Sequence, residues 1–399
     1  MTPRTKPLAF PEFIALLALL MATVAYSVDA MLPLLRPIGE DLAPLAPEQA
    51  QLVITVFMIG LGLGTFTMGP ISDAFGRKTV ILAGIALYMV AAVVAAMSQS
   101  LTVLLAARFV QGLGSSAPRT VSQAMVRDLY SGRQMARVVS FGMTVFTLFP
   151  AIAPFMGSML GAAFGWRAIF FSFLVFGTVS FLWLGLRQPE TLSAENRRRL
   201  AVGPLWAALK TVLGHAQVRL YLAALTFTFT TMLLWISTVA QVFDLAFGKA
   251  AEFPSWFALV ALLSAPSSLI NARVVVRFGM RRMVAVALTM QITMVTVSLL
   301  CFGFDLPLAG FPLFIAFMLT QFFSIGFLVG NLNALALEPM GHVAGMAASV
   351  VGGVSTMIAA FLAAILAHFV AGHPAILAGG VLLALICAAS CMIAARRHG

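Results

Sequence analysis

Apolar runs of about twenty residues, broken by short polar turns, dominate the chain. A helix needs roughly twenty predominantly apolar residues to cross the hydrocarbon layer of a bilayer. On that ruler the pattern predicts spans at 12–34, 49–70, 79–97, 101–125, 134–160, 166–186, 218–243, 254–275, 283–303, 311–336, 342–370 and 374–395. The longest polar connection, 187–217, carries Arg197, Arg198 and Arg199 and falls between the sixth and seventh spans. The expected fold is an all-α membrane protein of twelve transmembrane helices. Two six-helix bundles, 1–186 and 218–399, are joined by a basic linker, 187–217.

Polar positions inside the spans are ordered. In span four, Arg108, Gln111, Ser115, Arg119 and Ser122 are spaced 3, 4, 4 and 3 apart, which is one helical face. Span seven carries Thr226, Thr230, Ser237, Gln241 and Asp244. Span ten carries Gln321, Ser324, Asn331 and Glu338, and span one carries Tyr26 and Asp29. Polar groups are costly in hydrocarbon, so these stripes should face a wet path or a partner. They sit on the first helix of each consecutive triplet, the organisation of nested three-helix repeats around a central path. Tyr26, Gln111, Ser115, Arg119, Thr230, Trp235, Gln241, Gln321 and Asn331 are the candidate cavity residues. Asp244 and Glu338 lie near span ends and read as solvated.

Depth suggests one ion pair. Asp29, in the outer third of span one, and Arg108, in the outer third of span four, lie at similar depth, and each is expensive alone. Asp29 is the candidate proton carrier: a proton arriving would release the arginine for substrate. A fixed pair that only sets packing is the other reading. Arg119 has no intramembrane acid in the first half to neutralise it, so the cavity should disfavour cations and prefer neutral or anionic amphipaths.

Small residues mark close contacts. Thr147, Pro150, Pro154, Gly157 and Gly161 in span five, Gly345, Ser349, Gly352 and Thr356 in span eleven, and Gly60 and Gly64 in span two give faces that a rocking seam between the halves would need. Between spans two and three lies Gly69-Pro-Ile-Ser-Asp73-Ala-Phe-Gly76-Arg77-Lys78, and its basic part returns as Arg277-Phe-Gly279-Met-Arg281-Arg282. A charged loop repeated once per half points to related bundles.

Composition agrees with a bilayer solvent: 61% of residues are hydrophobic and 9% charged. The net charge of +11 would point to nucleic acid in a soluble chain, but here it follows the cytoplasmic bias of membrane proteins. With the N-terminus inside, only Arg36, Arg167 and Lys249 fall outside, Arg108 and Arg119 lie within a span, and the rest of the 24 Lys and Arg face the cytoplasm. Both termini are therefore expected there. The first apolar run is too long for a signal peptide and lacks a cleavage site, so it reads as a span. Cys301, Cys387 and Cys391 lack metal-ligand spacing. His215, His342, His368, His373 and His398 are scattered, which argues against a polytopic enzyme. Gly112-Leu-Gly114-Ser-Ser-Ala117 matches a dinucleotide fingerprint but follows no strand, so it reads as helix packing.

On these residues the chain resembles a twelve-span major facilitator superfamily transporter, more narrowly the Bcr/CflA group of bacterial drug:proton antiporters. The Gly69–Lys78 stretch resembles the superfamily's signature loop, and Arg108-Phe-Val-Gln111-Gly112 its span-four arginine motif. Ala153-Pro154-Phe-Met-Gly157-Ser158 approximates the antiporter motif of span five. Ser27-Val-Asp29 with Leu32-Pro33, Val126-Arg127-Asp128-Leu129-Tyr130, Gly165-Trp166-Arg167-Ala-Ile-Phe170 and Glu338-Pro339-Met-Gly341-His342-Val-Ala-Gly345 resemble the group's own pattern. The chain departs at Ala74 (usually basic), Ser158 (usually glycine), Arg119 (usually apolar) and Val276, which stands where the first loop has Asp73. The resemblance implies a proton-coupled exporter in the bacterial inner membrane, needing no cofactor beyond a proton gradient and acting as a monomer. Asp29 and Arg108 would couple protons, and Gly69, Asp73, Gly76, Arg77, Lys78, Pro150, Pro154 and Gly157 would serve gating. Fold alone leaves an uptake symporter and a non-transporting sensor open.

Overall fold

The computed structural model describes residues 8–130, 132–197 and 202–397. Arg4, Lys6, Arg198 and Arg199, and the side chains of Arg133, Arg137, Thr147 and Pro150, lie outside the described residues.

Among the described residues every regular element is helical. Ten helical segments among the described residues are long and apolar enough to cross a membrane. Their main helices include α1 (Phe10–Asp29), with the short α2 (Leu35–Leu42) beyond it, α3 (Leu52–Phe75) and α4 (Arg77–Ala96). Between Ala96 and Ala168 run two further long helices outside that set, α5 (Leu101–Leu129) and α6 (Gly132–Phe164). Then follow α7 (Ala168–Arg187), α8 (Val202–Gly214), α9 (Ala216–Leu245), α10 (Phe253–Ser264) and α11 (Pro266–Phe278). The chain finishes with α12 (Met280–Gly303), α13 (Phe311–Leu337), α14 (Ala344–Val370) and α15 (Pro374–Arg396).

Three elements differ from the hydropathy reading. The first span stops as an α-helix at Asp29 and passes through a 3-10 turn, Leu32–Leu34, before α2. Pro33 sits inside that turn, where its missing N–H interrupts the helical ladder. The eighth span is broken at Ala265 into α10 and α11, and Pro266 opens α11, a position where a missing N–H costs little. The linker, expected only as a basic connection, contains α8, with Ala208 and Val212 buried.

The helices pack as two sets. In one, α1 lies against α5, α6 and α7, and α5 lies against α3 and α4. In the other, α9 lies against α13, α14 and α15, and α12 against α13 and α15. The sets meet along α3 with α14 and along α6 with α10. Val90, Phe171, Val175, Leu182, Phe361 and Phe369 are exposed on the outer faces, an arrangement suited to hydrocarbon and unfavourable in water.

The small-residue faces are only partly the expected seam. A Cβ on Gly60 would lie 2.1 Å from the Phe109 carbonyl oxygen, and one on Gly112 would lie 2.0 Å from that of Phe57. These residues let α3 and α5 touch within one set, as does Gly64 against Ser116. Gly157 likewise presses on the Ala30 carbonyl, just past α1, and Gly161 on Leu34. The seam between sets uses Gly62, on the other side of α3, against Gly353 and Met357. Two residues along a helix is about 200° of rotation, enough to exchange one neighbour for another. The contacts of Gly112 and Gly114 with α3 and α4 agree with the packing reading of the glycine-rich stretch.

Candidate functional site

The bundle has a termini end, where α1 begins and α15 finishes, and a far end, where α1 stops. The most enclosed charge is Arg108 on α5, which is fully buried. Its Nη1 donates to Gln111 Oε1 at 2.7 Å, its Nη2 to the Ser27 carbonyl at 3.0 Å, and its Nε to the Val53 carbonyl at 3.3 Å. The guanidinium stands 4.3 Å from the centroid of the Phe57 ring, a geometry that contributes about 2 kcal/mol when desolvated. Arg108 thus ties α5 to α1 and α3. Binding Arg108 uses the carbonyl of Gln111 and leaves its buried Nε2 without a hydrogen bond.

The expected ion pair between Asp29 and Arg108 is not formed. Asp29 is buried, and no ion pair or hydrogen bond reaches its carboxyl among the described residues. The reason is helical phase. Ser27 turns its hydroxyl to Tyr88 (2.7 Å) and its carbonyl to Arg108. Asp29, about 200° further round α1, falls on the side of Tyr26 instead. Tyr26 is itself fully buried, bonded to Ser172 Oγ at 2.8 Å and packed on Phe173 and Phe176 of α7. Equal depth put the two charges at one level, but only the azimuth decides contact.

Arg119, further along α5, is half-buried, and its guanidinium has no hydrogen-bond or ion-pair partner among the described residues. Two other candidates are satisfied locally. Ser115 bonds back to the Gly112 carbonyl (2.9 Å) and Thr230 to the Thr226 carbonyl (2.9 Å), each within its own helix. In the second set, Gln321 donates to Thr231 Oγ1 at 2.8 Å, and its carbonyl accepts from Gln291 at 3.3 Å. Asn331 donates to Asn271 at 2.9 Å. Trp235 packs between Phe314 and Phe317, with its buried indole N–H unpartnered.

Gln241 and Asp244 belong to a different structure. At the far end Arg36 bonds both Glu40 (2.8 Å) and Asp244, and Gln51 donates to Gln241. Arg36–Asp244 and Gln51–Gln241 are the side-chain hydrogen bonds that join the two sets among the described residues. Asp244 was expected only to be solvated, and Gln241 to line the cavity. Opposite charges at the far ends of spans one and seven were the available signal. Beside this contact Glu48, Gln51, Thr55 and His368 line a recess of about 70 Å³, too small for a drug-sized ligand.

At the termini end the signature loop closes on its own set. Arg77 pairs with Asp73 (2.5 Å) and Asp128 (3.1 Å) and donates to Ser72 Oγ (2.6 Å). Glu190 accepts from the backbone N–H groups of Arg77 (2.8 Å) and Lys78 (3.1 Å), and Lys78 Nζ donates to the Gly185 carbonyl (2.7 Å). Gly76 makes the turn at φ 99°, ψ 151°. Gly69 faces Ser349 across the α3–α14 seam, and Pro154 is buried on α6.

Two lipid-faced helical sets meeting along two seams, with charge enclosed between helices, form the architecture of a secondary transporter. The chain belongs to the major facilitator superfamily, whose family model matches residues 14–364. It is a transporter-family protein and not an enzyme. It is 29% identical over 360 residues to a bicyclomycin resistance protein homolog of Haemophilus influenzae, covering 89% of this chain and 88% of that one. It is 29% identical over 214 residues to multidrug resistance protein D of Escherichia coli K12, covering 54% and 53%. Among solved structures, the partially occluded inward-open xylose transporter XylE of E. coli superposes with a TM-score of 0.72 at 13% identity, over 94% of this chain and 98% of that one.

Proposed function

We propose that the chain is a proton-coupled antiporter that exports small molecules across the bacterial inner membrane by alternating access. Twelve spans form two six-helix bundles, 1–186 and 218–399, with 187–217 between them. Basic residues gather at the termini end, which supports placing both termini in the cytoplasm and the far end outside. The far-end contacts of Arg36 and Gln51 then close the outer side of the path. Substrate sits near the midplane between α1, α5, α9 and α13. The relatives named for drug resistance support export of drug-like molecules.

The observation that carries the reading is Asp29, a buried carboxyl without a polar partner among the described residues. A charge left alone in an apolar site is costly, and binding a proton removes it. Arg108 is already held by neutral acceptors, so it shapes the site and does not act as the permanent partner of Asp29. Arg119 leaves uncompensated positive charge on the same helix, which favours neutral or anionic substrates.

Proteoliposomes with an imposed pH gradient test this. Vesicles acid inside should accumulate drug as protons leave, whereas a symporter would fill only vesicles acid outside. Asp29→Asn should reduce gradient-driven accumulation to background while retaining drug binding. Full driven transport by this variant would remove Asp29 from the coupling, and better export of cations than of matched anions would overturn the substrate class.

A further inference from the structure

The end of α11 and the start of α12, either side of Gly279, carry Arg273, Arg277, Arg281 and Arg282 within ten residues, counted from 273 to 282. All four are exposed, and among the described residues none has an ion pair or a hydrogen bond from its guanidinium. The four acids of this half are Asp244, Glu252, Asp305 and Glu338. Asp244 and Glu252 are taken by Arg36 and Lys249 at the far end, Asp305 lies beyond the far end of α12, and Glu338 pairs with none of the four arginines. The guanidinium groups of Arg277 and Arg282 stand 5.4 and 5.8 Å from the Phe278 ring, gathering charge around one exposed aromatic.

The same surface is apolar where it meets the bundle wall. Leu269, Ile270 and Val276 of α11 are exposed, Val276 at 87%. Leu269, Arg273 and Val276 follow at helical spacing, so one strip runs from exposed apolar side chains to unpaired arginines. A soluble anion would use the charge and ignore the strip. A phospholipid uses both, with its acyl chains along Leu269 and its phosphate among the arginines. We propose that this turn is a docking surface for anionic phospholipid headgroups in the leaflet it faces. The proposal does not depend on proton coupling or on the direction of transport.

The test is native mass spectrometry of the full-length protein in detergent, titrated with phosphatidylglycerol or phosphatidylcholine. The protein should retain phosphatidylglycerol preferentially, and Arg273→Gln, Arg277→Gln, Arg281→Gln and Arg282→Gln should each lower retention about fivefold. Val276→Asp, which restores an acid where the first loop has Asp73, should lower it with every arginine in place. It also serves if a glutamine variant fails to insert. Replacing the four arginines with lysine should preserve retention, and inorganic phosphate should not compete. Equal retention of the two lipids, unchanged retention in the glutamine and Val276→Asp variants, or displacement by millimolar phosphate would each overturn the proposal. Running the series on Asp29→Asn as well separates lipid docking from transport.

Discussion

The turns at Gly76 and Gly279 repeat one backbone with opposite chemistry. Each glycine ends one helix and starts the next, at φ 99°, ψ 151° and φ 81°, ψ 153°. Side chains with a Cβ rarely adopt that conformation, so both copies keep glycine. Around Gly76, Asp73, Asp128 and Glu190 use the charges and donors of the loop to bind α3, α4, α5 and the end of α7 together. Around Gly279 no acid replaces them, and four arginines face outward. A repeated turn can therefore hold its shape while one copy is an internal bolt and the other a free basic surface.

The largest expected contrast is at the glycines themselves. Alanine at either position meets backbone strain of about 1–3 kcal/mol. At Gly76 the added Cβ would also lie 2.4 Å from Glu190 Oε2, whereas at Gly279 nothing lies within 4 Å. Displacing Glu190 leaves two backbone donors short of their acceptor, about 1–3 kcal/mol more. Thermal unfolding in detergent should therefore show Gly76→Ala less stable than Gly279→Ala, and equal shifts would break the contrast.

Arginine replacements come next. Arg77→Gln removes both ion pairs from a buried guanidinium and should cost about 2 kcal/mol, tempered because Asp73 and Asp128 keep some contact with solvent. Arg281→Gln should change stability by less than about 0.5 kcal/mol. A comparable loss in both would mean that the second loop has an internal role after all. A smaller contrast belongs to the far end, where Asp244→Asn breaks a partly exposed pair worth about 0–1 kcal/mol. Alkylation of a cysteine placed at Thr55 should then rise by up to about fivefold. No rise would show that Gln51–Gln241 holds the far end alone.

The hydropathy ruler located the long helices, ten of which are apolar enough to cross a membrane among the described residues, because burial in lipid demands about twenty apolar residues whatever the neighbours are. The expected seventh span, 218–243, lies within α9 (Ala216–Leu245). The break at Pro266 escaped it, since an average over twenty residues hides one missing donor. So did α8, too short to register as a span. The polar stripe on α5 was legible, and of its two arginines Arg108 is enclosed. Its partners were not, because the backbone carbonyls of Ser27 and Val53 leave no mark on residue identity.

By itself the chain's order of residues determined where the long helices run, where glycine must turn them, and which copy of the repeated turn lacks an acid. These are local properties, set by transfer from water and by backbone sterics. Only the tertiary structure decided which face of each helix meets which neighbour. That placed Asp29 away from Arg108, joined Arg36 to Asp244 across 208 residues, and turned Gly157 toward Ala30 and away from the other set. Such contacts depend on helix rotation and register across the bundle, where 100° per residue separates a bonded charge from a solitary one.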